Sequence, residues 1–189
     1  MPFTHLEISG PVLREESMAA KASVATKAFQ GIRIEVDTSV SFDEVLNRLR
    51  GLMGNTSVPQ IVALAKEPIT QAEYVQKVQE RLVGQSGFML FHEIDHGGWL
   101  AKFGINRRTV RWILGNPLIA ITMIRFDITA GLFAPVEILV VEKQNEPGAT
   151  VTYVRPSTLM VIEENPPLRE AAEALDKKLD ALIAKATGA

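Results

Sequence analysis

Residues 92–96 read H-E-I-D-H, the spacing in which two histidines and a glutamate serve zinc hydrolases. On a helix the two histidines would lie about 6 Å apart along the axis, and both rings could reach one metal ion. On a strand they would lie about 13 Å apart, too far for two bonds of about 2 Å to the same zinc. Gly97 and Gly98 would end a helix here, and no histidine follows His96 as a third ligand. The segment therefore predicts a strand with no metal site, and a zinc hydrolase is the least favoured hypothesis.

The two histidines have different predicted environments. In an uninterrupted strand the even-numbered positions from 88 to 96 share one face, which puts His92 between apolar neighbours and predicts a buried, hydrogen-bonded ring. His96 ends the strand beside two glycines, where its ring can face a cavity. One hypothesis is therefore an enzyme in which His96 is the general acid or base, oriented by Asp95 or Asp127. Arg125 would bind an anionic group, and these residues would have to gather at one end of the sheet, although such charges are usually structural salt bridges.

Asn116 and Pro117 are the residue types that favour the start of a helix. Asparagine caps free backbone N–H groups, and proline has the backbone angle of a first helical residue. A helix N-terminus that attracts an anionic ligand is the alternative. The helix that follows, Leu118 to Ile124, is apolar on every side, so it is expected to be buried in the core or in a subunit contact.

A cluster of basic and aromatic residues lies between these two regions. Arg107, Arg108 and Arg111 are close in sequence to Trp99 and Trp112. A phosphate or carboxylate ligand would find cations there, which makes Trp99 a candidate ligand-binding residue. A solvated charged face is the favoured interpretation.

The order of elements predicts an α+β fold. Alternation marks a strand from Ile32 to Asp37, and Ser41 with Glu44 forms a capping box for an amphipathic helix. Residues 55–86 form an inserted helical pair, and a long closing helix runs from Pro166 to Lys185. Four further strands lie between these helical regions, namely Phe88–Asp95, Thr109–Leu114, Val136–Glu142 and Thr150–Arg155. This β-α-β(4)-α order predicts an antiparallel sheet backed by helices, with an N-terminal arm over residues 1–30 and one domain over 31–189.

Composition excludes several classes of function. The 189 residues carry a net charge of −2 and dispersed basic residues, so no nucleic-acid or membrane partner is expected. Zero cysteines exclude disulfides and thiolate catalysis. No signal-like start and no apolar stretch long enough to span a bilayer are present, which favours a cytoplasmic protein, and no cofactor is predicted.

Three stretches within 86–142 resemble a known family. They are G-F-M-L-F-H-E-I-D-H, I-L-G-N-P and A-P-V-E-I-L-V-V-E, and the first two contain Asp95-His96 and Gly115-Asn116-Pro117. The chain resembles the domain of unknown function 302 family over most of 32–186. The resemblance implies a TATA-box-binding-protein-like arrangement and a dimer, and it supplies no established reaction.

The favoured functional hypothesis is a homodimeric binding or interaction module with a cavity between the sheet and the closing helix. Apolar lining there would suit a small hydrophobic or mixed ligand. The candidate ligand-binding residues are Asp95, His96, Trp99, Asn116, Arg125 and Asp127.

Overall fold

The protein, as a computed structural model that describes residues 22–189, has a six-stranded sheet with helices against one face. The strands are β1 (Arg33–Thr38), β2 (Gly54–Asn55), β3 (Met89–Asp95), β4 (Thr109–Gly115), β5 (Val136–Glu142) and β6 (Ala149–Val154). The helices are α1 (Phe42–Leu52), α2 (Val58–Ala65), α3 (Gln71–Arg81), α4 (Gly97–Leu100), α5 (Pro117–Ile124), α6 (Pro156–Met160) and α7 (Pro166–Thr187). Two short 3-10 helices, Ala101–Phe103 and Ile128–Phe133, follow α4 and α5.

The strand order is β1-β6-β5-β4-β3-β2. Four of the five neighbouring pairs are antiparallel, and β2 runs parallel to β3. The predicted α+β fold is confirmed, but the sheet is mixed rather than wholly antiparallel. Two residues are too few to give a periodic pattern, which is why the sequence did not show β2.

The main hydrophobic core lies between the sheet, α1 and α7. Alternate residues of β4 point into it, and Trp112 and Leu114 are fully buried. Helix α1 begins where predicted, because the Ser41 hydroxyl accepts a hydrogen bond from the Glu44 N–H at 3.3 Å. Helix α7 contributes an apolar stripe at helical spacing. Its buried leucines are Leu168, Leu175, Leu179 and Leu182.

The predicted helical pair within 55–86 is present as α2 and α3. Both helices begin with the capping contacts that the sequence indicates. The Gln60 side chain accepts a hydrogen bond from the Ser57 N–H at 2.8 Å. Glu73 accepts one from the Thr70 N–H at 2.7 Å. A small apolar cluster joins the pair to β3, and its buried members are Leu64, Val78 and Met89.

Strand β3 contains a bulge at Phe91. Leu90 lies opposite Leu114, but the next paired residue, His92, lies opposite Ile113. The extra residue moves the side chains that follow to the other face of the sheet. His92 is consequently exposed, so the predictions of one uninterrupted face and of a buried histidine are wrong. Alternation in the sequence does not reveal where a strand gains one residue.

The face of the sheet that alternates with the core is called the open face. Most of its side chains are exposed or half-buried. From β3 to β1 it carries His92, Ile94, Arg111, Ile113, Glu137, Leu139, Val141, Thr150, Thr152, Val154, Arg33, Glu35 and Asp37.

Residues 1–21 of the predicted N-terminal arm lie outside the described part of the chain. Residues 22–32 form neither helix nor strand, and the ring of Phe29 packs edge-on against Phe133 with centroids 6.0 Å apart. Within 22–189, no helix combines the length and the apolar character that crossing a bilayer requires.

Candidate functional site

The end of β4 that carries Gly115 is held in place by Asn116. Its side-chain oxygen accepts a hydrogen bond from the Leu118 N–H at 2.8 Å, which caps α5 as predicted. Its side-chain nitrogen donates to the Gly87 carbonyl oxygen at 2.9 Å, which ties the helix start to the loop before β3. Both the oxygen and the nitrogen of the Asn116 side chain therefore make structural hydrogen bonds.

An apolar groove of about 300 Å³ lies beside Asn116. Six elements supply its walls, because α2, β3, the end of β4, α5, the start of β5 and α7 meet at this end of the sheet. The lining side chains include Val58, Ile61, Phe88, Phe91, Ile119, Ala120, Met123, Pro135, Val136 and Leu175. The predicted cavity between sheet and closing helix is thus present, with α5 and the inserted α2 as additional walls.

Gly115 allows the groove to have this shape. A Cβ atom at this position would lie 3.1 Å from Cε2 of Phe91 and 3.2 Å from Cβ of Pro135. The missing side chain lets the bulged Phe91 and Pro135 approach the strand closely. The G-N-P sequence combines this close approach with a helix cap and a helix start.

Among residues 22–189, no charged residue lines the groove, and Asn116 is its single polar side chain. Both polar atoms of that amide already have partners within the protein. A bound molecule would therefore find mostly apolar surface, and the second N–H of the Asn116 amide and the second lone pair of its oxygen are the polar side-chain groups that this lining offers. Such a lining selects for a neutral, largely apolar ligand.

Helix α5, which borders the groove, is buried less than its composition predicts. Met123 is its one buried residue, and Ile121 is 47% exposed. The 3-10 helix that follows carries Ile128 and Leu132, which are 77% and 80% exposed. Of the two expected locations for α5, the core and a subunit contact, the core accounts for one face only.

His96 lies at the other end of β4, where its backbone N–H donates a hydrogen bond to the Thr109 carbonyl oxygen at 2.8 Å. Its ring nitrogen Nδ1 accepts a hydrogen bond from the Trp99 indole N–H at 3.2 Å, with the two rings nearly perpendicular. Trp99 in turn packs edge-on against Phe103, which is 77% exposed. His96 thus contacts a surface aromatic cluster, and it does not line the apolar groove.

The H-E-x-x-H segment is confirmed as strand, because β3 contains residues 92–95. The remaining carboxylates of this end are held in ion pairs or turns. Arg50 contacts both oxygens of Glu93 at 2.9 and 2.7 Å. Asp95 accepts a hydrogen bond from the Gly97 N–H at 2.8 Å. Within 22–189, no three metal-binding side chains are grouped to hold an ion.

Arg108 and Asp43 form a second ion pair. With Arg50, Glu93 and Asp95 they line a polar cleft at this end of β4. The two terminal nitrogens of Arg108 contact the carboxylate at 2.9 and 2.5 Å, and the guanidinium lies 4.3 Å from the ring centre of Phe42. The hydrogen bond from Arg108 lowers the pKa of the Asp43 carboxyl below its ordinary value. These geometries are those of surface salt bridges, and the Arg108 side chain is half exposed, which agrees with the solvated charged face that the sequence favoured for this arginine.

Arg125 and Asp127 lie in the segment that leaves the sheet after Gly115 and returns at Val136. Asp127 caps the 3-10 helix by accepting hydrogen bonds from the Thr129 N–H and hydroxyl at 2.8 and 2.7 Å. Strand β4, about 20 Å long, separates the end from which this segment departs from the end that carries His96. The prediction that Arg125 and Asp127 gather with His96 is therefore wrong, because both residues follow the far end of β4.

Sequence reasoning identified Asn116 but missed the walls of the groove. Val58, Phe91 and Leu175 are distant along the chain, and each resembles an ordinary core residue. The closest signal was the apolar α5, which borders the groove. Nothing in local periodicity indicates that α2, inserted after β2, would reach the same end of the sheet.

The model of the family described as domain of unknown function DUF302 matches residues 64–186. The chain therefore belongs to this family, as its sequence predicted. A crystal structure of an uncharacterized conserved DUF302 protein from Bacillus stearothermophilus is similar, with a TM-score of 0.57, 18% identity, and coverage of 82% of this chain and 97% of that one. At this identity the likeness shows the fold alone. No curated protein matches the chain. The TATA-box-binding-protein-like arrangement stays a prediction.

Proposed function

We propose that this protein is a small-molecule-binding module whose ligand occupies the groove beside Asn116. One observation carries the proposal, namely that six elements converge on an uncharged cavity of about 300 Å³. This volume is at the lower end of the range for small-molecule sites, about 300–1,000 Å³, so the ligand is small. The absence of charge among the lining residues makes it neutral and largely apolar.

The proposal includes a binding role rather than a catalytic one. In the enzymatic hypothesis His96 acts with Asp95, Asp127 and Arg125. Arg125 and Asp127 come after the Gly115 end of β4, whereas His96 lies at the Thr109 end, so Asp95 is the one of these residues that lies beside His96. The proposal includes no nucleic-acid or membrane partner, because the chain has a net charge of −2 with dispersed basic residues. A cytoplasmic location and the absence of a cofactor belong to the same proposal.

A neutral fluorescent probe, N-phenyl-1-naphthylamine, tests the proposal. The wild-type protein should bind about one probe per chain with a saturating rise in fluorescence. Ala120→Phe fills the groove from α5 and should weaken binding at least about tenfold. Ala101→Phe adds the same ring at an exposed position near His96 and should bind as the wild type does. Equal binding by both variants, or no saturation, would reject the groove as the site.

We also propose a homodimer that covers the exposed side of α5 and the 3-10 helix after it. Within twelve residues this region exposes four large apolar side chains, Ile121, Phe126, Ile128 and Leu132. A monomer rarely exposes so much apolar surface in one short segment without a binding role. The partner is a second copy, since the resemblance to the DUF302 family implies a dimer.

Sedimentation velocity tests the dimer with two matched variants. Ile128→Glu places a charge in the proposed contact and should convert the dimer to a monomer at micromolar concentration. Ile105→Glu, at an exposed isoleucine near the other end of β4, should leave the dimer intact. A wild-type monomer, or a dimer that survives Ile128→Glu and is lost in Ile105→Glu, would exclude this surface.

A further inference from the structure

A second groove, of about 520 Å³, lies on the open face of the sheet. Leu139, Thr152 and Val154 form its floor, because these residues of β5 and β6 are neighbours on that face. Leu132 of the 3-10 helix and Leu159 of α6 also line the groove, and Leu132 is at the same time the edge of the proposed dimer contact. This groove differs from the one beside Asn116 because charged side chains lie at its margins.

Two arginines line the second groove from strands at opposite sides of it. Arg111 of β4 lies opposite Leu139, and Arg33 of β1 lies opposite Val154. The strands β4 and β1 are three strand spacings apart, about 14 Å. A chain-like apolar molecule lying across the floor would therefore have a guanidinium group near each end.

These two arginines are bound less completely than Arg108. Arg111 contacts Glu137 through one terminal nitrogen, and Arg33 contacts Glu35 through one terminal nitrogen at 2.6 Å. A guanidinium group has five N–H donors, so within 22–189 most donors of both groups have no protein acceptor. Arg108, by contrast, uses two nitrogens on one carboxylate and stacks on a ring.

We propose that the second groove binds an amphipathic carboxylate of about ten carbons. The apolar chain would lie on Leu139 and Val154, and the carboxylate would accept hydrogen bonds from Arg111. Arg111 is the better anchor because its side chain is 40% exposed, compared with 66% for Arg33, and water screens its charge less. Glu137 competes with the ligand for Arg111, so its charge weakens binding.

Calorimetric titration with decanoate and decanol tests this site. Decanoate should bind at least about tenfold more tightly than decanol, and Arg111→Gln should remove that difference. Arg125→Gln, a matched change at an exposed arginine outside both grooves, should not. Glu137→Gln should strengthen decanoate binding, a gain that a merely structural ion pair would not give.

The two grooves share Pro135 and Val136, so assigning decanoate to one of them requires one variant in each groove. Ala120→Phe, which fills only the groove beside Asn116, should leave decanoate binding unchanged. Loss of decanoate binding in Ala120→Phe, equal affinity for decanol and decanoate, or no effect of Arg111→Gln would each overturn the proposal. Absence of decanoate binding would also overturn the proposal. A second copy of the chain would then be the alternative occupant of this face.

Discussion

The two ends of strand β4 differ in the side chains that gather there and in whether these side chains form a cavity. The end with Thr109 carries the residue types that suggest catalysis, which are His96, Asp95 and the neighbouring arginines. Most of these side chains form hydrogen bonds in turns or ion pairs within the protein. The end with Gly115 borders an apolar groove, whose lining within 22–189 has Asn116 as its one polar side chain. In this protein, residue types associated with catalysis do not mark the cavity. The cavity forms where apolar side chains from distant elements meet.

The largest difference between the ends should be in stability. Met123→Ala, at the 1% exposed residue of α5, should lower the free energy of unfolding by about 2–5 kcal/mol, since it removes buried contacts and leaves a cavity. Phe103→Ala, at the 77% exposed residue near His96, should change it by less than about 0.5 kcal/mol. Urea unfolding of both variants measures this contrast. Similar losses would mean that the aromatic cluster is as structural as the groove.

A smaller difference should separate Asn116 from His96. Asn116→Ala removes the cap of α5 and should cost on the order of 1 kcal/mol in the free energy of unfolding. His96→Ala removes one surface hydrogen bond to Trp99 and should cost less. Asn116→Asp keeps the acceptor for Leu118 but loses the donor to Gly87, so its cost should fall between the two. A stable Asn116→Ala together with an unfolded His96→Ala would reverse the roles.

The smallest predicted effect concerns the ionisation of Asp127. Hydrogen bonds from the Thr129 hydroxyl and N–H lower the pKa of the Asp127 carboxyl below its ordinary value. A carboxyl with a lowered pKa stabilises the fold above its ordinary pKa, and the contribution is lost as the pH falls through the lowered value. Thr129→Val removes the hydroxyl and should raise the pKa of Asp127, measured by NMR titration of its carboxyl carbon. An unchanged pKa would show that the hydroxyl does not bind the carboxylate in solution.

Local signals in the sequence predicted the elements well. The capping residues Ser41, Ser57, Thr70 and Asn116 each precede a helix at the expected place. Period-two alternation predicted β1 because one face of this strand packs on the core. The strands β5 and β6 also lie within about one residue of their predicted bounds. The sequence also favoured a strand through the histidine segment, and β3 contains residues 92–95. Gly97 and Gly98, which were expected to end a helix, instead begin the short helix α4.

Features that depend on distant residues escaped prediction. The bulge at Phe91 is a property of the β3–β4 pairing, so the sequence of β3 alone does not indicate it. The expected site around His96 assumed that Arg125 would lie nearby, whereas the path of α5 is set by packing against other helices. The groove joins Val58 to Leu175, residues that no local pattern connects.

The position of a bound neutral ligand tests the central claim most directly. In protein with labelled isoleucine, leucine and methionine methyl groups, nuclear Overhauser effects would be recorded between N-phenyl-1-naphthylamine and the methyl groups. Contacts to Ile61, Ile119 and Met123 are predicted, because these residues line the groove beside Asn116. Contacts to Leu100 and Ile105 instead, at the His96 end of β4, would contradict the account.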